Sequence, residues 1–154
     1  MIVNDVEELL FEIRNQLIAG MDAVIDSINA EKGDTLLEHV DANEFHFFFR
    51  SNPTQKKIFN IYNGNVSIAS NRQEIAKTVE VFVECAIIDN LKDDTFLKSL
   101  RYMRAMTEVL TSNAFDIENS SSIVFEQLEP FQILENDTFE GRIMSGLRLT
   151  VDFV

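Results

Sequence analysis

Apolar positions recur at three- and four-residue steps through the opening of the chain: Val6, Leu9, Leu10, Ile13, Leu17, Met21, Val24 and Ile28, with Glu7, Glu8, Glu12, Arg14, Asn15, Asp22 and Asp26 between them. That spacing places one apolar stripe on a helix from about Asn4 to Asn29. Asn4 or Asp5 supplies a cap, the early glutamates suit the positive end of the helix dipole, and Gly33 offers a stop. The period then changes to two. Glu44 to Arg50 predicts a strand with Phe45, Phe47 and Phe49 on one face and His46, Phe48 and Arg50 on the other, ended by Pro53. Ile58 to Tyr62 and Val66 to Ala69 flank Asn63-Gly64, a pair that favours positive φ angles and so predicts a hairpin turn. From Glu74 to Ile88, Val79, Val81, Val83, Cys85 and Ile87 alternate with Glu80, Phe82, Glu84 and Ala86, the pattern of a half-buried strand.

Asp89, Asp93, Asp94 and Thr95 supply helix-start chemistry, and the apolar positions from Phe96 to Leu110 predict a second helix ending near Thr111. Ile123 to Ile133 reads as a strand that Pro130 confines to an edge or a bulge. Arg142 to Phe153 reads as a last strand in which Leu147, Leu149, Val151 and Phe153 alternate with Arg148, Thr150 and Asp152. The order is α-β-β-β-α-β-β. It predicts a single α+β domain over residues 1–154, a mainly antiparallel sheet of about five strands covered on one face by both helices.

Composition narrows the class. Hydrophobic residues are 45% of the 154, with thirteen Phe and no Trp, enough apolar surface to offset the entropy of folding around one core. No apolar run approaches the roughly 20 residues that span a bilayer, and the acidic opening lacks the basic start of a signal peptide, so synthesis in the cytoplasm and no membrane association are expected. Cys85 is the one cysteine and sits in an apolar run, which excludes an internal disulfide and fits a small buried hydrophobe. The formal charge of −13 repels phosphate backbones, which argues against gripping nucleic acid while allowing DNA to pass an acidic surface without sticking.

Candidate chemistry is sparse. His39, Asp41, Glu44 and His46 are metal-ligand types, but the spacing matches no helical His pair, and a polar strand entry explains them more simply. Glu80 and Glu84 share a strand face at roughly 13 Å, too far for the ~5–9.5 Å carboxylate pair of a glycosidase. No nucleophile–base pair stands out, and Gly33, Gly64, Gly141 and Gly146 form no phosphate-cradling loop, so no enzyme activity, cofactor or metal is expected. Lys98, Arg101 and Arg104 on the second helix, with Lys56 and Lys57 in a loop, are the basic clusters. A solvated face is the simpler account of them, and a contact with an acidic patch on a neighbouring subunit is the sharper one.

The pattern carried by Ile13-Arg14-Asn15-Gln16-Leu17, by Thr78 to Glu84, by the helix Phe96 to Arg104 entered through an Asp-rich turn, and by Arg148 to Val154 resembles the tail-terminator or tail-completion group of bacteriophage neck proteins. The resemblance spans nearly the whole chain as a pattern of elements. It implies a structural subunit of the virion that forms a homo-oligomeric ring, usually a hexamer, between the tail tube protein and the head-completion protein, with DNA passing nearby. On that reading the interface candidates are Phe48, Arg50, Lys56, Lys57, Asn63, Gly64, Glu80, Phe82, Glu84, Lys98, Arg101 and Arg104. The class-distinct rival is a small-molecule-binding domain in which Phe45, Phe47 and Phe49 line an apolar pocket.

Overall fold

A computed structural model describes residues 5–48, 56–70, 72, 75–90, 93–113, 117, 120–134 and 140–153. Two helices and a five-stranded, mostly antiparallel sheet make an α+β fold: α1 (Val6–Lys32), β1 (Phe45–Phe47), β2 (Lys57–Ser70), β3 (Ile75–Asn90), α2 (Asp93–Ser112), β4 (Ser120–Leu134) and β5 (Glu140–Phe153), with a short 3₁₀ turn at Ala42–Glu44 before β1. The strand order is β1-β2-β3-β5-β4. Only β1 runs parallel to its neighbour, pairing Phe45, His46 and Phe47 with Phe59, Asn60 and Ile61.

The helix ends follow the local chemistry. The Asp5 carboxylate accepts the Glu8 N–H at 2.8 Å, and at the other end Gly33 takes a left-handed φ of 69° while the Asp34 N–H donates to the Asn29 carbonyl. Of the predicted stripe, Leu9, Ile13, Leu17, Met21 and Ile28 are buried and Val6, Leu10 and Val24 are half-buried at its margins, while Ile25, which the predicted stripe omits, is buried as well. The alternating residues of β3 face the same core. Val79, Val81, Val83, Cys85 and Ile87 pair across to Val151, Leu149, Leu147, Ser145 and Ile143 of β5, and all ten are buried. α2 lies over β3 and β5, and α1 packs against α2 and β2, so both helices cover one face. Cys85 is fully buried there, and burial pushes its thiol well above the ordinary range, which removes thiolate chemistry.

Two expectations are corrected. Asn63-Gly64 is no hairpin turn: β2 runs on through it, with Asn63 opposite Val81 and Val66 opposite Val79, so Gly64 and Asn65 form a bulge facing the single residue Glu80. The register with β3 on both sides outweighs the local preference of an Asn-Gly pair. The strand expected from Glu44 to Arg50 has only three residues. Just past its end Phe48 adopts a φ of 67°, unusual for an aromatic and incompatible with an extended strand, while its N–H donates to the Ile61 carbonyl at 2.9 Å. Phe49, Arg50 and Pro53 lie outside the described residues. Pro130, by contrast, sits where expected, within an irregularity between Leu128 and Phe131 of edge strand β4.

Candidate interaction surface

The pleat that sends Phe59, Ile61, Val81 and Val83 toward the helices sends Tyr62, Glu80, Phe82 and Glu84 to the opposite face, away from α1 and α2. Register places Tyr62 opposite Phe82, and Phe82 opposite Arg148. The Tyr62 and Phe82 rings stack with centroids 5.4 Å apart, and Phe48 meets Tyr62 edge-on at 6.1 Å. A Cβ on Gly64 would come within 2.7 Å of Phe82 Cε2 and 2.9 Å of Glu80 Oε1, so the bulge glycine lets this backbone lie against the aromatic row.

Carboxylates frame the row. Tyr62 donates to Glu84 Oε1 at 2.6 Å. Partial burial, that hydrogen bond and the Glu84 charge hold the phenol protonated far above its usual range. Arg148 is ion-paired with Glu126 of β4. Near the end of the sheet, Thr78 and Ser122 hydroxyls both donate to the Asp152 carboxylate at 2.7 Å and hold its pKa below the usual carboxylate range. Phe48 is 71% exposed, and Tyr62, Phe82, Glu80 and Glu84 are half-buried. Toward Ile58, Ala86 and Met144 the same face becomes fully buried.

Five of the sequence candidates therefore meet on this face: Phe48, Gly64, Glu80, Phe82 and Glu84. Tyr62 and Arg148 belong with them and escaped the sequence reading, because only the register of β2 and β5 against β3 brings them beside Phe82. Asn63 instead lines an open groove of about 500 Å³ with Val6, Glu7, Leu10, Phe11 and Phe47. Lys56 is exposed just before β2, Lys98 is half-buried on α2, and Arg50 lies outside the described residues.

The remaining candidate cations, Arg101, Arg104 and Lys57, are occupied within the chain. Arg101 grips both oxygens of Asp34 at 2.8 and 2.9 Å. Arg104 reaches Glu31 at 2.6 Å and Glu108 at 2.9 Å, fastening α2 to the end of α1. Their guanidinium groups hold Asp34 and Glu31 below the usual carboxylate range. Lys57 is mostly buried and lies 3.2 Å from Glu44, itself buried. His39 sits 2.7 Å from Asp26 and 3.8 Å from Asp22 on α1. Among the described residues no group of three or more His, Cys, Asp or Glu is placed to hold a metal ion, and no helix is long and apolar enough to cross a membrane.

The pocket expected from Phe45, Phe47 and Phe49 takes a different form. Phe45 is 3% exposed and packs on Phe59 inside the core, Phe49 lies outside the described residues, and only Phe47 reaches the groove, edge-on to Phe11 at 4.8 Å with the Arg14 guanidinium over its ring. No protein-family model matches the chain, and no curated protein matches it.

Proposed function

We propose that this chain is a structural assembly subunit that works through protein–protein contacts, of the tail-terminator kind that its sequence pattern resembles. The observation that carries the reading is the sheet face turned away from the two helices, where the 71% exposed Phe48 and the half-buried Tyr62 and Phe82 form an aromatic row. Aromatic side chains concentrate binding energy at interfaces and are a liability on an isolated monomer. On this reading copies of the chain form a ring in the neck of a virion and meet a tail tube protein on one side and a head-completion protein on the other. The net charge of −13 suits a lining past which DNA slides.

A small apolar ligand in the groove beside Phe11 and Phe47 is the rival reading, favoured by its volume. It has weaker support, because Phe45 belongs to the core and the groove is open rather than enclosing.

The mass of the purified chain by light scattering, across a concentration series, tests the proposal. A species that grows with concentration toward a ring-sized mass, with annular particles by electron microscopy, is the expected result. A monomer at every concentration that also ignores isolated tail tubes would overturn it.

A further inference from the structure

The helix-ward face of β2 and β3 does not end where the helices do. Register pairs Val66 with Val79, Ile68 with Lys77 and Ser70 with Ile75, so Val66, Ile68 and Ile75 continue the pleat face of Val79, Val81 and Val83. The inner three are at most 1% exposed, whereas Val66, Ile68 and Ile75 are 40%, 65% and 62% exposed. β1 accompanies β2 only to Ile61, and the described part of β5 ends at Phe153 opposite Lys77. Among the described residues the two strands thus run on as an arm whose helix-ward face exposes Val66, Ile68 and Ile75 beside Ser70 and the half-buried Lys77. Two-stranded ribbons are marginal alone, and exposed apolar strands invite pairing, so such an arm calls for a cover.

The groove described above offers an apolar seat of matching character. The arm departs from its rim at Asn63, and among the described residues none beyond Asn63 lines it. Charge selects the occupant. In a chain of −13, residues 63–78 contain Arg72 and Lys77 against the single acid Glu74, while the opening turns of α1 present Glu7, Glu8 and Glu12 and Glu7 lines the groove. A second copy therefore supplies both an apolar partner and the complementary sign.

We infer that the arm of one copy seats its Val66, Ile68 and Ile75 face in the Val6, Leu10, Phe11 and Phe47 groove of another, with Arg72 toward Glu7. The inference rests on the assembly reading and deepens it by naming the two surfaces. Unless two copies exchange arms reciprocally in a closed dimer, the contact is heterologous and propagates into a ring or a filament. A contact of this extent falls short of the ~800 Å² per partner typical of stable pairs, so each is weak and ring closure supplies the avidity.

Two full-length variants test it by sedimentation: Ile68→Thr with Ile75→Thr on the arm, and Phe11→Gln in the groove. All three side chains are exposed, and circular dichroism and the urea midpoint check that folding survives. Each variant alone is expected to lose self-association by about tenfold or more. Mixed in equal amounts they retain one intact arm and one intact groove, so at concentrations high enough for a single weak contact they form a 1:1 dimer and nothing larger. A charge exchange supplies a second measurement: Arg72→Glu and Glu7→Arg each weaken assembly, and mixing them restores it. If the wild type assembles and the variants assemble equally well, this contact is wrong and the assembly reading stands. If the wild type remains monomeric throughout and ignores isolated tail tubes, both fall.

Discussion

Lys57 shows how far one residue's role depends on its surroundings. In the sequence it adjoins Lys56 in a polar stretch and reads as a loop cation. In the fold Lys56 is exposed, whereas Lys57 begins β2, faces the helix layer and meets the buried Glu44 at 3.2 Å and Glu38 at 3.6 Å. Glu44 in turn accepts the Asp41 N–H at 2.9 Å, which closes the turn leading into β1. Lys57→Ala strands that carboxylate in a mostly desolvated site and is expected to lower unfolding stability by about 2–3 kcal/mol, below the full cost of breaking a buried pair because some solvent reaches it. Replacing Lys57 and Glu44 together with Met and Leu is expected to recover most of the loss, measured as urea midpoints. Equal loss in the single and double variants would mean that packing, and not the pair, is what Lys57 supplies.

At the scale of elements, the segment between α1 and β1 is held by polar contacts to both helices. Asn29 exchanges two hydrogen bonds with Leu37, the Tyr102 hydroxyl both donates to the Glu38 carbonyl and accepts its N–H at 2.9 Å, and His39 bonds Asp26. The hydrogen bond to Asp26, with the charge of Asp22, raises the His39 pKa above its ordinary 6.5. A raised folded pKa means that the charged imidazole stabilises the fold fully below the unfolded value and loses that contribution as pH rises through the folded one. The group is solvent-exposed, so the effect on global stability is small. NMR titration of the imidazole is expected to place its midpoint above 6.5, and Asp26→Asn to lower it. An unchanged midpoint in that variant would show that the observed bond to α1 does not hold the histidine in solution.

At the scale of the molecule, charge and shape act in opposite directions. Copies carrying −13 repel one another, and that repulsion outweighs a single exposed contact such as Arg72 with Glu7, worth roughly 1 kcal/mol or less. Self-association is therefore expected to strengthen between about 10 and 150 mM salt, as the screening length falls from roughly 30 to 8 Å. Weakening over that range would make ion pairs, not apolar contacts, the dominant attraction. Arg104→Glu is expected to loosen the α1–α2 junction, read as faster amide exchange near Glu31, while leaving assembly intact because that guanidinium is spent within the chain. Much of this architecture is legible in the order of residues. The stripe from Leu9 to Ile28, the alternation from Val79 to Ile87 and the proline in β4 each announce their element, because helical and strand periods and the missing proline N–H are properties of local chain geometry. What the order of residues leaves open is pairing. Whether Asn63-Gly64 turns or bulges, whether Tyr62 and Arg148 stand beside Phe82, and whether Arg101, Arg104 and Lys57 face solvent or a carboxylate all depend on residues far away in sequence. Register and long-range packing, which outweigh local preference, decided those positions, and with them where the aromatic face and the arm lie.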